Sequence, residues 1–119
     1  MLACRRNSEL TEALKSMKQI EDRFNRRYRY SWTFLNDVPF TEEFTNRTTH
    51  MASGTTEYGL IPKDQWSTPD WVSEDKFQKT VERMKKENII YGDSRTYRHM
   101  CRYNSGFFFK HPIMSKYDW

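Results

Sequence analysis

Leu10, Ala13, Leu14, Met17, Ile20 and Phe24 recur every three or four residues. That spacing places them on one side of an amphipathic helix running through about Phe24. Asn7 or Ser8 caps it, and Glu9 and Glu12 in its first turn offset the positive end of the helix dipole. Met1–Arg5 ahead of the helix reads as the stub of a strand, and Tyr28–Leu35 behind it as an aromatic-rich strand. The alternation continues. Asn36-Asp37-Val38-Pro39 marks a turn, because Pro39 keeps Val38 out of helical geometry. Thr41-Glu42-Glu43-Phe44 resembles a capping box, Ser53-Gly54 breaks the helix it opens, and Thr55–Ile61 is a further strand ended by Pro62. Ser73 starts a helix with Phe77, Val81 and Met84 as its apolar stripe. Gly92-Asp93-Ser94 caps another that carries Tyr97 to about Tyr103, Ser105-Gly106 ends it, and Gly106–Lys110 reads as a last strand. Strands and helices in this order predict an α/β fold whose sheet is at least partly parallel and flanked by helices.

Low hydropathy and high charge alone favour disorder, but 16% of the residues are aromatic, and disordered segments are poor in such rings. The chain reads as a folded, polar piece whose buried area comes largely from amphipathic rings. The net charge of +4 comes from 20 basic and 16 acidic residues. The signs are interspersed, which describes a solvated surface rather than a phosphate-binding face. Cys4 and Cys101 are the two cysteines, too few for a disulfide framework or a four-ligand zinc site. A single bridge between them and two reduced thiols are both compatible with the sequence. No run approaches the length of a membrane-spanning helix. Met1-Leu2-Ala3-Cys4 runs directly into Arg5-Arg6-Asn7, which leaves no apolar region for a signal peptide. Asn46-Arg47-Thr48 matches the N-glycosylation sequon and points to a secretory address, although such triplets also arise by chance.

The chemistry concentrates between Tyr91 and Pro112, where arginines, histidines and aromatic rings crowd together. Gly-rich phosphate loops, paired-histidine zinc helices and nucleophile elbows are absent from the sequence. On a helix, Asp93, Tyr97 and Met100 share one face, and Arg95, Arg98 and Arg102 lie three or four apart on another. A row of guanidinium forks beside a capped helix start can hold a diphosphate. The plainer alternative, favoured by composition, pairs Arg98 and Arg102 with local carboxylates.

The run from Tyr91 to Pro112, Tyr-Gly-Asp-Ser-x-x-Tyr-Arg-His-Met-Cys-Arg-Tyr-x-Ser-Gly-Phe-Phe-Phe-x-His-Pro, closely resembles the fungal α-1,2-mannosyltransferases of glycosyltransferase family 15. Arg6-Asn7-Ser8-Glu9-Leu10, Ile20 to Asn25, Trp32 to Asp37 with Pro39-Phe40, Ser53 to Thr56, Tyr58-Gly59, Ile61-Pro62, Trp66, Trp71 and Glu82-Arg83-Met84 are similar to that family in the same order. The resemblance covers essentially the whole chain. It implies part of a GT-A type (Rossmann-like) nucleotide-sugar transferase fold, incomplete here, with residues 1–119 as the N-terminal fragment of a catalytic domain. It implies a Golgi membrane enzyme, lumenal in its catalytic part, that transfers mannose from GDP-mannose with retention to mannose-terminated glycoprotein glycans, using Mn²⁺. By the same resemblance Arg6 and Tyr97 contact the donor nucleotide, and Tyr91 lines the active site, where it can orient sugar hydroxyls.

The departures carry expectations too. The family's acidic metal motif, its candidate nucleophile and its metal-ligating histidine are expected beyond Trp119, so the metal ligands and catalytic residues are not expected among these residues. Asp118 is not a substitute ligand. The membrane anchor and stem are expected upstream. The isolated chain is therefore expected to lack transferase activity and to fold poorly alone. Two other readings compete: a non-catalytic remnant or interaction module that binds no donor, and a small basic single-strand nucleic-acid binder with aromatic platforms. The second is set aside, because the family resemblance accounts for the same arginines and tyrosines.

Overall fold

The computed structural model describes residues 1–117. Asp118 and Trp119, including the reading that Asp118 is no metal ligand, lie outside them. The chain forms two compact units, one comprising Met1–Ile61 with the segment beginning at Ser115, the other Pro62–Met114.

The first unit is a three-stranded sheet in the order β1 (Leu2–Cys4), β2 (Trp32–Asn36), β3 (Thr56–Leu60). Both pairings are parallel, with Cys4 opposite Leu35 and Leu35 opposite Gly59. Between β1 and β2 run a 3₁₀ turn, Asn7–Glu9, and helix α1, Leu10–Ile20. A π-helical stretch, Glu21–Asn25, and a last turn α2, Arg26–Tyr28, continue it. Helix α3, Glu42–Met51, connects β2 to β3, and the Thr41 hydroxyl accepts from Phe44 N at 3.2 Å as its cap. Every residue of β2 is buried, as a strand between two neighbours in a parallel sheet must be. Leu10, Ala13 and Met17 pack with Trp32, Phe34 and Phe44 in the core. Phe34 is its centre, edge-on to Phe44 at 5.7 Å and stacked on Tyr58 at 5.4 Å, geometries that favour ring quadrupoles.

The helical stripe departs from its expected course at Ile20. A π turn takes one more residue than an α turn, so positions after it lag around the helix. Asn25 then comes to face the core in place of Phe24. Glu21 is 2% and Asn25 0% exposed, whereas Ile20 is 38% and Phe24 45% exposed. Burying a carboxylate and an amide is tolerable only when both are hydrogen-bonded. The Asn25 amide donates to Glu21 Oε1 at 2.7 Å, and the Trp32 indole donates to the same oxygen at 2.6 Å. Asn25 also accepts from Tyr30 N at 2.8 Å and donates to Tyr30 O at 3.0 Å. These bonds hold the turn in which Arg29 is left-handed, with φ 53°. The chain is therefore helical or turning as far as Arg29, and the strand expected from Tyr28 begins at Trp32. A Cβ on Gly54 would lie 2.6 Å from the Arg29 and Tyr30 carbonyl oxygens, so the α3–β3 loop requires glycine there.

Asn7 caps no helix. Its Nδ2 donates to Pro39 O at 2.9 Å and its Oδ1 accepts from Thr41 N at 3.0 Å, tying the β1–α1 loop to the β2–α3 loop.

In the second unit, helix α4 spans Glu74–Lys86 and helix α5 spans Arg95–Gly106. The Ser94 hydroxyl caps α5, accepting from Tyr97 N at 3.2 Å. The strand expected at Gly106–Lys110 is not formed. Helix α5 continues through Gly106 and is followed by a 3₁₀ turn, Phe108–Lys110. Ser105 remains helical, its hydroxyl donating to Cys101 O at 2.8 Å. A short apolar run does not by itself separate strand from helix. Among the described residues no helix is long and apolar enough to cross a membrane.

Burial disfavours ionisation of Glu21, but the hydrogen bonds from Asn25 and Trp32, with Ser53 beside them, outweigh it and hold the carboxyl below its ordinary pKa. Because the folded value is the lower one, the ionised side chain stabilises the fold above the unfolded value of about 4.3. That contribution is lost as pH falls through the folded value. Glu21→Gln should lower unfolding free energy at neutral pH by about 1–3 kcal/mol. In urea titrations at several pH values, the gap between the two proteins should narrow below about pH 4. A gap independent of pH would show that the charge contributes nothing.

Candidate functional site

In open parallel sheets, ligands bind beyond the carboxyl ends of the strands, where loops and helix starts converge. In the first unit that edge carries Arg6 after β1 and Asp37 after β2. The Asn7 clamp fixes the two loops. Arg6 is exposed, and its Nη2 pairs with Glu9 Oε1 at 2.7 Å. Burial disfavours the Glu9 carboxylate, yet the hydrogen bonds and charge of Arg6 prevail and lower its pKa. The Arg6–Glu9 pair is solvent-exposed, and such pairs contribute little to stability. Asn36, at the end of β2, is buried, and its Nδ2 has no hydrogen-bond partner among the described residues. An unsatisfied buried donor at this edge is a group that a ligand or a water can complete. By sequence Asn36 belongs to the turn Asn36-Asp37-Val38-Pro39. Its place at the end of the central, fully buried strand was the signal available.

Tyr97 and Tyr91 belong to the second unit, where the structure brings them together. Their rings stack at 4.8 Å with 23° between planes, and both are largely exposed. Tyr91 reaches this position from a left-handed backbone, φ 60°, in a turn where Asn88 is left-handed as well. Residues with side chains disfavour that region, so the turn needs bracing. Arg98 Nη2 supplies it, donating to Gly92 O at 2.8 Å and contacting the Met84 sulfur. A Cβ on Gly92 would lie 2.7 Å from that of Met84, which excludes any larger residue from the turn as built.

The arginine row is not a free diphosphate cradle. Arg95 pairs with Glu74 and lies over the Phe77 ring at 4.5 Å. Arg102 Nη1 donates to the carbonyls of Asp64, Gln65 and Ser67 at 3.1, 3.2 and 3.0 Å. Arg98 and Arg102 therefore bind backbone carbonyls rather than the carboxylates of the plainer reading. Cys4 and Cys101 are both thiols, and burial pushes Cys4 up to about 11.

The model of the glycolipid 2-alpha-mannosyltransferase family matches residues 1–119. The chain belongs to that family, glycosyltransferase family 15. It is 54% identical to glycolipid 2-alpha-mannosyltransferase 2 of Candida albicans, a match covering 96% of this chain and 25% of that protein. Its fold matches the crystal structure of core-mannan synthase A from Aspergillus fumigatus in its Mn/GDP form, with a TM-score of 0.94 and 37% identity. That match covers 98% of this chain and 31% of the other. The mannosyltransferase Ktr4p of Saccharomyces cerevisiae in complex with GDP also matches with a TM-score of 0.94, at 36% identity, over 98% of this chain and 30% of Ktr4p. The chain thus spans between a quarter and a third of the length of these relatives, and the incomplete α/β transferase fold expected from the sequence is the one observed.

The Cys101 thiol hydrogen-bonds the Tyr97 hydroxyl and, with its charge when ionised, raises the phenol above its ordinary pKa. Cys101→Ala should bring the Tyr97 titration down, as followed by ultraviolet difference spectroscopy against a Tyr97→Phe control. An unchanged titration would remove the thiol as its cause.

Proposed function

We propose that this chain is the donor-side part of a retaining α-1,2-mannosyltransferase that takes mannose from GDP-mannose and passes it to mannose-terminated glycans on proteins in the Golgi lumen. The observation that carries the reading is the fold match, TM-score 0.94, to core-mannan synthase A in its Mn/GDP form. Within that fold Arg6 stands exposed just past the carboxyl end of β1. In this reading Arg6 donates to the nucleotide diphosphate. A fixed guanidinium offsets charge that grows on the leaving group as the glycosidic bond breaks. Tyr97 contacts the donor nucleotide, with Tyr91 stacked on it to hold the ring, and the exposed Tyr91 hydroxyl orients sugar hydroxyls.

Manganese belongs to this reading only through relatives. Among the described residues no group of three histidines, cysteines or carboxylates is placed to hold a metal ion. The described residues do not fit the ion.

Arg6→Ala and Tyr97→Ala in the full-length protein should each reduce kcat/KM for GDP-mannose by about tenfold or more, a loss of about 1.4 kcal/mol. GDP affinity measured by calorimetry should fall in parallel, and circular dichroism should be unchanged. Wild-type kinetics in both variants would defeat the assignment of these residues. Absence of any saturable GDP binding by the wild-type protein would favour a non-catalytic remnant.

A further inference from the structure

Helix α3 turns a polar face outward. Glu42, Glu43, Asn46, Arg47, Thr49 and His50 are exposed, while Phe44 and Thr48 are buried. Asn46-Arg47-Thr48 on this helix has the Asn-x-Thr spacing of a glycan acceptor, with no proline between. The Asn46 amide makes no side-chain hydrogen bond among the described residues. Its neighbour Arg47 pairs instead with Glu43 at 3.3 Å. A large substituent at Asn46 would therefore displace no contact of the fold.

We propose that Asn46 is an N-glycosylation site carrying an oligosaccharide on the outer face of α3, and that the sugar is attached before α3 forms. The inference rests on the lumenal placement proposed above. The order of events follows from geometry. A transferase that recognises this triplet must engage the asparagine amide and the threonine hydroxyl together. In a helix, residues two apart point to different sides, whereas in an extended segment they share a face. In α3, Asn46 accordingly points to solvent, and Thr48 points inward and is 0% exposed. The Thr48 hydroxyl is committed there, donating to Phe44 O at 2.7 Å and lying 2.7 Å from the Tyr58 hydroxyl of β3. The folded protein thus presents the acceptor nitrogen and hides the hydroxyl that marks it.

The donor is a lipid-diphosphate-linked oligosaccharide. The Asn46 amide nitrogen attacks the anomeric carbon of the reducing-end sugar, and a C–N bond forms. The C–O bond to the diphosphate breaks, the lipid diphosphate leaves with the electron pair, and the nitrogen gives up one proton to a base of the transferase. The same threonine then serves twice, first as a recognition group in the extended chain and later as a link between α3 and β3.

The test expresses the natural full-length protein in a yeast secretory host, with an added acceptor triplet at its C-terminus reporting entry into the lumen. Digestion with an N-glycan-removing enzyme should release sugar from both positions. Asn46→Gln should remove the glycan from that peptide and leave the reporter's in place, with circular dichroism unchanged. A glycosylated reporter with an unmodified Asn46 peptide in mass spectrometry would overturn the site and leave the lumenal reading standing. A bare reporter would overturn both. In a second arm, unglycosylated protein from bacteria is offered to oligosaccharyltransferase membranes. The native form should remain unmodified, and urea-unfolded protein diluted into the same membranes should be glycosylated at Asn46. Equal modification of the two forms would overturn the proposed order.

Discussion

A single buried carboxylate joins three parts of the first unit. Glu21 sits where α1 gives way to the π turn, and one of its oxygens receives both the Asn25 amide and the Trp32 indole N–H. Trp32 opens β2, and Asn25 clamps the Tyr30 backbone from both sides. The Ser53 hydroxyl donates to Asn25 O at 3.0 Å and brings in the loop ahead of β3. The helix end, the central strand and the next loop therefore share one polar centre. Such a centre is costly if broken, because truncating one partner leaves others buried and unsatisfied. It also fixes where β2 starts. In a sheet a shift of one residue would exchange the faces bearing Phe34 and Leu35.

The π turn is what makes that centre geometrically available. The hydrophobic spacing extended the apolar stripe through Ile20 and Phe24, and an uninterrupted α-helix would have buried Phe24. The signal against this was present in the spacing, since Glu21 stands four residues after Met17 on the same stripe. A charged residue there is normally read as the end of the apolar face. The sequence does not reveal that the acid has an indole and an amide waiting for it, because Trp32 lies eleven residues away. The Thr41 and Ser94 caps and the alternation of strands and helices in the first unit were legible, since each depends on local periodicity or a local hydrogen bond, and that alternation implied a parallel sheet. Asn7 misled for the opposite reason. Asparagine before a helix is a good cap, but its partners here lie 32 and 34 residues away.

Residues suited to binding were easier to name from sequence than to tell apart from those that only build. Arg6 and Tyr97 entered by family resemblance, and the structure places them in different units, each exposed. Arg95, Arg98 and Arg102 looked equally suitable by chemistry. Guanidinium groups that bind phosphate are also well shaped to gather carbonyl oxygens, and only the fold reveals which task each performs.

The second unit shows why the arginines are used in that way. Among its described residues no strand forms, and α4 buries none of its own residues. Tyr103 and Met114 are its buried apolar side chains. With so little apolar area removed from water, the hydrophobic contribution is small, and polar links and ring contacts must supply order. Arg102 joins three carbonyls and covers the Phe107 ring at 4.8 Å. Arg95 and Arg98 lie over Phe77, and Arg98 also braces the turn that presents Tyr91. The density of charge and rings between Tyr91 and Pro112 is thus mainly the architecture of a unit with a small core. Its exposed product is a stacked tyrosine pair, and Arg98, the brace of the turn that carries Tyr91, is a positioning group for the surface that pair forms.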